Sequence, residues 1–120
     1  GVRAAHEMPW SFTTAFMQDP AKVDGRIKLA IADPYPASRT GYLRQLDAVL
    51  AHDTLGRLNR ITARTLVLVG AEDILTPPEE SEVLARDIAN ATLRVLPRGG
   101  HGFSGEFPEE FNSAVLEFLG

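Results

Sequence analysis

The sequence predicts an α/β chain: a helical first half, then a strand–helix–strand–helix unit with parallel strands. Three observations carry this. Apolar residues in the first half recur at helical spacing between Pro9, Pro20, Pro34 and Pro36. Thr65-Leu66-Val67-Leu68-Val69 is a continuous apolar run closed by Gly70, the pattern of a strand buried on both faces. A helix-length segment separates it from a second run, Thr92-Leu93-Arg94-Val95-Leu96, and a crossover of that length joins parallel strands.

Phe12 and Phe16, at i and i+4, predict a helix over about 11–18. Asp19 followed by Pro20 reads as an N-cap with a first-turn proline. The helix behind it carries Val23, Ile27, Ala30 and Ile31 and is weakened by Gly25. Asp33-Pro34-Tyr35-Pro36 is a connector, because each proline restricts the residue before it. A third helix, from Pro36 or Ser38 to His52, has the stripe Tyr42, Leu46, Val49 and Leu50. Leu55, Leu58 and Ile61 form a short helical turn, with Asp53 as its cap. Thr76-Pro77-Pro78-Glu79 reads as a capping box, opening a helix that carries Val83, Leu84 and Ile88 and ends near Asn90. After the second strand, Pro97 stops the chain, Arg98-Gly99-Gly100-His101-Gly102 forms a loop, and Pro108 opens a last helix with Phe111, Val115, Phe118 and Leu119. Two parallel strands do not make a stable sheet alone, so the rest of the sheet is expected from outside this chain.

Composition narrows the function classes. The chain has 120 residues, 44% hydrophobic and 23% charged, ordinary for a soluble globular domain. A chain of this size buries roughly 65% of its unfolded surface. Twelve Lys and Arg against 16 Asp and Glu leave a net charge of −4, which lacks the electrostatic footprint of a nucleic-acid or anionic-membrane binder. The absence of cysteine excludes disulfides, iron–sulfur clusters and thiolate zinc sites, and agrees with a reducing, cytoplasmic compartment. No apolar run reaches the ~18 residues of a membrane span. Gly1-Val2-Arg3 leads into no apolar stretch, so no signal peptide is expected, and the missing initiating Met suggests a processed, tagged or excised start.

Two loops follow the carboxyl ends of the two strands, where open α/β sheets bind ligands. The first holds Asp73, the second His101. Adjacent strands lie about 4.8 Å apart, so Asp73 is expected to accept a hydrogen bond from one ring nitrogen of His101, leaving the other free to act as a general base. Glu72 competes for the acid's role. The flanking glycines permit close backbone approach.

These residues carry a family resemblance. From about Asp53 to Leu119 the chain resembles the C-terminal part of the α/β-hydrolase fold superfamily. The likeness rests on a strand followed by G-x-x-D-x-x-x-P (Gly70, Asp73, Pro77), a helix, a strand, then G-H-G (Gly100 to Gly102), with 28 residues from Asp73 to His101. Residues 1–53 resemble that family's helical cap, and 54–120 its C-terminal core. The nearest likeness is to 3-oxoadipate enol-lactonase, esterase and cofactor-free haloperoxidase-like members. The resemblance implies an incomplete α/β-hydrolase fold, a Ser-His-Asp triad acting on a small ester or lactone, Asp73 and His101 as its acid and base, and neither cofactor nor metal. The family's nucleophile sits in G-x-S-x-G before the acid; no such motif occurs here. Ser104, in Gly102-Phe103-Ser104-Gly105, lacks the spacing and follows His101. Negligible activity is therefore expected of this chain alone. Its expected partner is the N-terminal half of the same hydrolase or a second copy of itself. Two further readings stay open: a partner-binding domain completing its sheet with another chain, and a non-catalytic pseudo-hydrolase binding a small ligand.

Trp10, Phe12, Phe16 and Tyr42 are candidates to line the substrate pocket, with Met17 beside them, although aromatics at helical spacing more often form core. His6 and His52 read as structural. Glu79-Glu80 and Glu109-Glu110 read as solvated first helix turns. No G-x-G-x-x-G follows a strand, so no nucleotide site is expected.

Overall fold

The computed structural model describes residues 2–120, with side chains from His6 onward. The expectation about a leader rests partly on Gly1, which lies outside them. The elements run α1 (Val2–Ser11), α2 (Thr14–Met17), α3 (Pro20–Ile31), α4 (Arg39–Leu50), a 3₁₀ helix (Leu55–Arg60), β1 (Thr65–Gly70), α5 (Pro78–Asp87), β2 (Ala91–Leu96), α6 (Phe103–Glu106) and α7 (Pro108–Leu119). β1 and β2 pair in parallel, from Thr65 opposite Ala91 to Gly70 opposite Leu96. That register ends both strands at the same level and brings their following loops together.

Local chemistry explains most boundaries. Asp19 accepts hydrogen bonds from the amides of Ala21 and Lys22 at 3.0 and 3.2 Å, with Pro20 in the first turn. Ser38 caps α4 through the Gly41 amide at 3.0 Å. Asp53 accepts from the Leu55 amide at 3.2 Å and so starts the 3₁₀ helix. The Asp19 and Asp53 bonds match expectation, and of the two expected starts of the third helix, Pro36 and Ser38, it is Ser38 that caps it.

Three expectations are corrected. The helix over 11–18 is two helices, parted at Phe12 and Thr13, because Thr13 takes an extended conformation and caps α2 through the Phe16 amide. The capping box at Thr76 does not form. Pro77 occupies the cap position without a side-chain bond, since the Thr76 hydroxyl is engaged by Asp73 instead. α5 ends at Asp87 rather than Asn90, where Ile88 turns extended and Asn90 Nδ2 donates to the Thr62 carbonyl at 2.8 Å. The loop expected over 98–102 runs directly into a short helix, α6, for which no element was predicted.

The core lies between the strands, α5, the 3₁₀ helix and α7, with Leu58, Val67, Val69, Ile88, Leu96 and Ala114 buried. Arg94 of β2 pairs with Glu117 of α7. β1 is fully buried on one face only: Leu66 and Leu68 stay half-buried, because two strands are too narrow to shield both faces. Met8 and Phe16 are buried among the first helices. α3 and α4 bury no residue fully, and the α4 stripe of Tyr42, Leu43, Leu46, Val49 and Leu50 is exposed. No helix among the described residues is long and apolar enough to cross a membrane.

Candidate active site

The two loops are zipped together by backbone contacts. Ala71 donates to the Leu96 carbonyl at 2.9 Å and Glu72 to the Gly99 carbonyl at 3.0 Å. A Cβ at Gly70 would lie 2.2 Å from that Gly99 oxygen, so only glycine allows this approach. Gly99 itself has φ +108°, a conformation other residues rarely adopt. Glu72 turns its carboxylate to the Gly99 amide at 3.3 Å. It therefore anchors the loop backbone, and the acid facing the imidazole is Asp73.

Asp73 is the site's buried charge, its side chain 3% exposed against 47% for His101. Burial alone would raise its pKa. Hydrogen bonds from the Thr76 amide, His101, the Thr76 hydroxyl and the Leu75 amide outweigh that, and the net pKa lies below the ordinary 3.8. The bonds are 2.9 Å from the Leu75 and Thr76 amides to Oδ1, and 3.0 Å from Thr76 Oγ1 to Oδ2. His101 Nδ1 lies 3.0 Å from Oδ2. An ionised carboxylate only accepts, so Nδ1 carries the proton in that contact. In the neutral ring the lone pair is then on the other nitrogen, Nε2, the state a general base requires. Thr76 Oγ1 is also 3.2 Å from Nδ1, close enough to share its proton.

His101 lines a cavity of about 300 Å³ with Phe12, Met8, Arg26, Ala30 and Gly102. Of the aromatic candidates, Phe12 and Phe16 stack with centroids 4.4 Å apart. Phe12 thus reaches the His101 cavity, while Phe16 is buried behind it and lines a second cavity of about 590 Å³ with Leu29, Lys22 and Arg26. Trp10 and Tyr42 are exposed and line neither. His52 contacts Thr54 Oγ1 at 3.3 Å, and His6 is exposed. Among the described residues, no three His, Asp or Glu side chains are grouped to hold a metal.

Sequence reasoning missed two side chains here. Thr76 bridges the acid and the imidazole. Its D-x-x-T-P spacing was a signal, outweighed by the capping pattern. Glu106, on α6, bonds to both Thr13 and Gly100, and no periodicity marks it.

The parallel strand pair, the crossover helix and the apposed Asp and His loops are those of the C-terminal part of an α/β-hydrolase fold protein. Its relatives are hydrolases. The protein named "Putative carbamate hydrolase RutD" of Caulobacter vibrioides (strain NA1000 / CB15N) is 42% identical over 77 residues, 64% of this chain and 29% of that protein. A hydrolase from Pseudomonas aeruginosa PA01 superposes with a TM-score of 0.81 at 35% identity, covering 99% of this chain and 43% of its own. A thermophilic esterase from Thermogutta terrifontis superposes with a TM-score of 0.79 at 31% identity, covering 96% and 42%. The chain thus spans less than a third of that curated relative and less than half of those solved structures. No family model matches it.

Proposed function

We propose that this chain supplies the acid and the histidine of a serine hydrolase acting on a carboxylic ester or lactone, with residues 1–53 as cap and 54–120 as core. The observation that carries the reading is the 3.0 Å contact between His101 Nδ1 and the buried Asp73 carboxylate. In the reaction, a serine hydroxyl not encoded here attacks the substrate carbonyl carbon. His101 Nε2 takes the serine proton and returns it to the departing oxygen. A water then repeats the sequence on the acyl-serine and releases the acid. Asp73 stabilises the imidazolium at each stage. Phe12, with Phe16 behind it, gives an apolar wall beside the imidazole; Trp10 and Tyr42 join only if the cap closes further. The identity to RutD makes a carbamate carbonyl an additional substrate to assay.

The test is hydrolysis of a short-chain p-nitrophenyl ester, a lactone and a carbamate by the full-length gene product. A rate abolished in His101→Ala supports the reading; an unchanged rate overturns it. The 120-residue chain alone is expected to stay at background, because loss of the nucleophile removes several orders of magnitude.

The exposed apolar stripe of α4 and the narrow sheet favour a second reading, in which the chain docks onto another polypeptide. Its candidates are the N-terminal half of the same hydrolase and a second copy. Light scattering of the isolated chain separates these: a well-behaved monomer with a cooperative melt excludes both self-association and dependence on a partner for folding. The cysteine-free composition supports a cytoplasmic location.

A further inference from the structure

We propose that Glu106 is a positioning residue, whose carboxylate locks the His101 loop to the turn between α1 and α2. Both carboxylate oxygens accept from the Thr13 amide at 3.2 Å. Oε2 also accepts from the Thr13 hydroxyl at 2.5 Å, and Oε1 from the Gly100 amide at 3.0 Å. Thr13 is buried, so its hydroxyl is committed: it donates to Glu106 and accepts from the Phe16 amide. On the far side of His101, the Gly102 amide donates to the Ser11 carbonyl at 2.6 Å. The residues before and after the imidazole are therefore both tied to the same short turn. A Cβ at Gly100 would lie 2.9 Å from the Ser11 oxygen, and one at Gly102 2.6 Å from the Phe12 ring, so the two backbones are already in close contact.

Asp73 holds the ring itself, while Glu106 holds the backbone that carries the ring. Bonds to an ionised acceptor are roughly twice as strong as neutral ones, and a displacement of about 1 Å at a reacting group costs on the order of 100-fold in rate. Movement of the α1–α2 turn is thereby transmitted to His101. A glutamine at 106 weakens the lock: it loses the charge, its NH₂ faces the Thr13 N–H in either amide orientation, and keeping its oxygen on the Gly100 amide turns the Thr13 hydroxyl from donor to acceptor.

This inference rests on His101 acting as the base, and the experiment separates the two. In the full-length gene product, Glu106→Gln, Thr13→Val and Thr13→Ser are compared with His101→Ala. The readouts are kcat and KM for the ester, the low-field proton resonance of His101 Nδ1–H, and the melting temperature. The expected result is a kcat at least tenfold lower in Glu106→Gln and Thr13→Val, a KM within threefold of wild type, and a broadened or lost resonance. Thr13→Ser, which keeps the hydroxyl, retains kcat within threefold. Wild-type kcat and resonance in Glu106→Gln, or a change confined to KM, overturns the inference while leaving the role of His101 intact. Should Glu106→Gln fail to fold, the Thr13 pair decides by the same criteria. Full activity in His101→Ala overturns the reaction instead, and the resonance then reads the lock alone.

Discussion

Replacing Asp73 with asparagine tests the acid–base pair most sharply, because the side chain keeps its shape and loses only its charge and one acceptor. Oδ1 can still accept from the Leu75 and Thr76 amides, both at 2.9 Å. The new NH₂ takes the place of Oδ2 and faces His101 Nδ1 at 3.0 Å and Thr76 Oγ1 at 3.0 Å. A donor there forces Nδ1 to accept, so the ring proton moves to Nε2. The base then has no lone pair for the serine proton. In the serine-protease triad the same tautomer reversal lowers kcat about 10⁴-fold, which corresponds to about 5.5 kcal/mol of barrier at 1.36 kcal/mol per factor of ten. The expected outcome for this protein is a fall of that order in kcat, with KM little changed. Nitrogen-15 spectra of the imidazole should show Nε2 protonated in the variant and Nδ1 protonated in the wild type. Full-length Asp73→Asn within tenfold of wild-type kcat, or an unchanged tautomer, would refute the reasoning.

The remaining predictions concern stability and acid sensitivity. Asp73 sits below its ordinary pKa of 3.8 in the fold, so its stabilisation is complete above the unfolded carboxyl value, about 3.9, and is lost as pH falls through the lower folded value. Acid unfolding curves of wild type and Asp73→Asn should therefore diverge at neutral pH and converge below about pH 4; parallel curves would show no linkage. Gly70→Ala forces the two loops apart, given 2.2 Å to the Gly99 oxygen, and should lower the melting temperature and abolish ester hydrolysis together. Leu96→Ala, at a side chain buried beneath β2's end, should cost about 2–5 kcal/mol in denaturant unfolding. Breaking the exposed Arg98–Glu110 pair should leave the melting temperature almost unmoved.

Much of the architecture is legible along the chain because it is local. The caps at Asp19, Ser38 and Asp53 act over two or three residues, and β-branched runs bounded by Gly70 and Pro97 mark the strands. The order of the two loops follows from parallel pairing. The juxtaposition of Asp73 with His101 could be anticipated for the same reason, since the strands end level. Where local patterns compete with distant partners, the reading goes astray. Thr76 satisfies a helix-start pattern in sequence, yet a buried charge nearby binds its hydroxyl more strongly than a free amide would. The helix over 11–18 breaks because Thr13 and Ser11 bond to residues about ninety positions away, Glu106 and Gly102. Long-range bonds of this kind leave no periodicity behind. Their partners meet only in the tertiary fold, where the turn between α1 and α2 lies against the loop that carries His101.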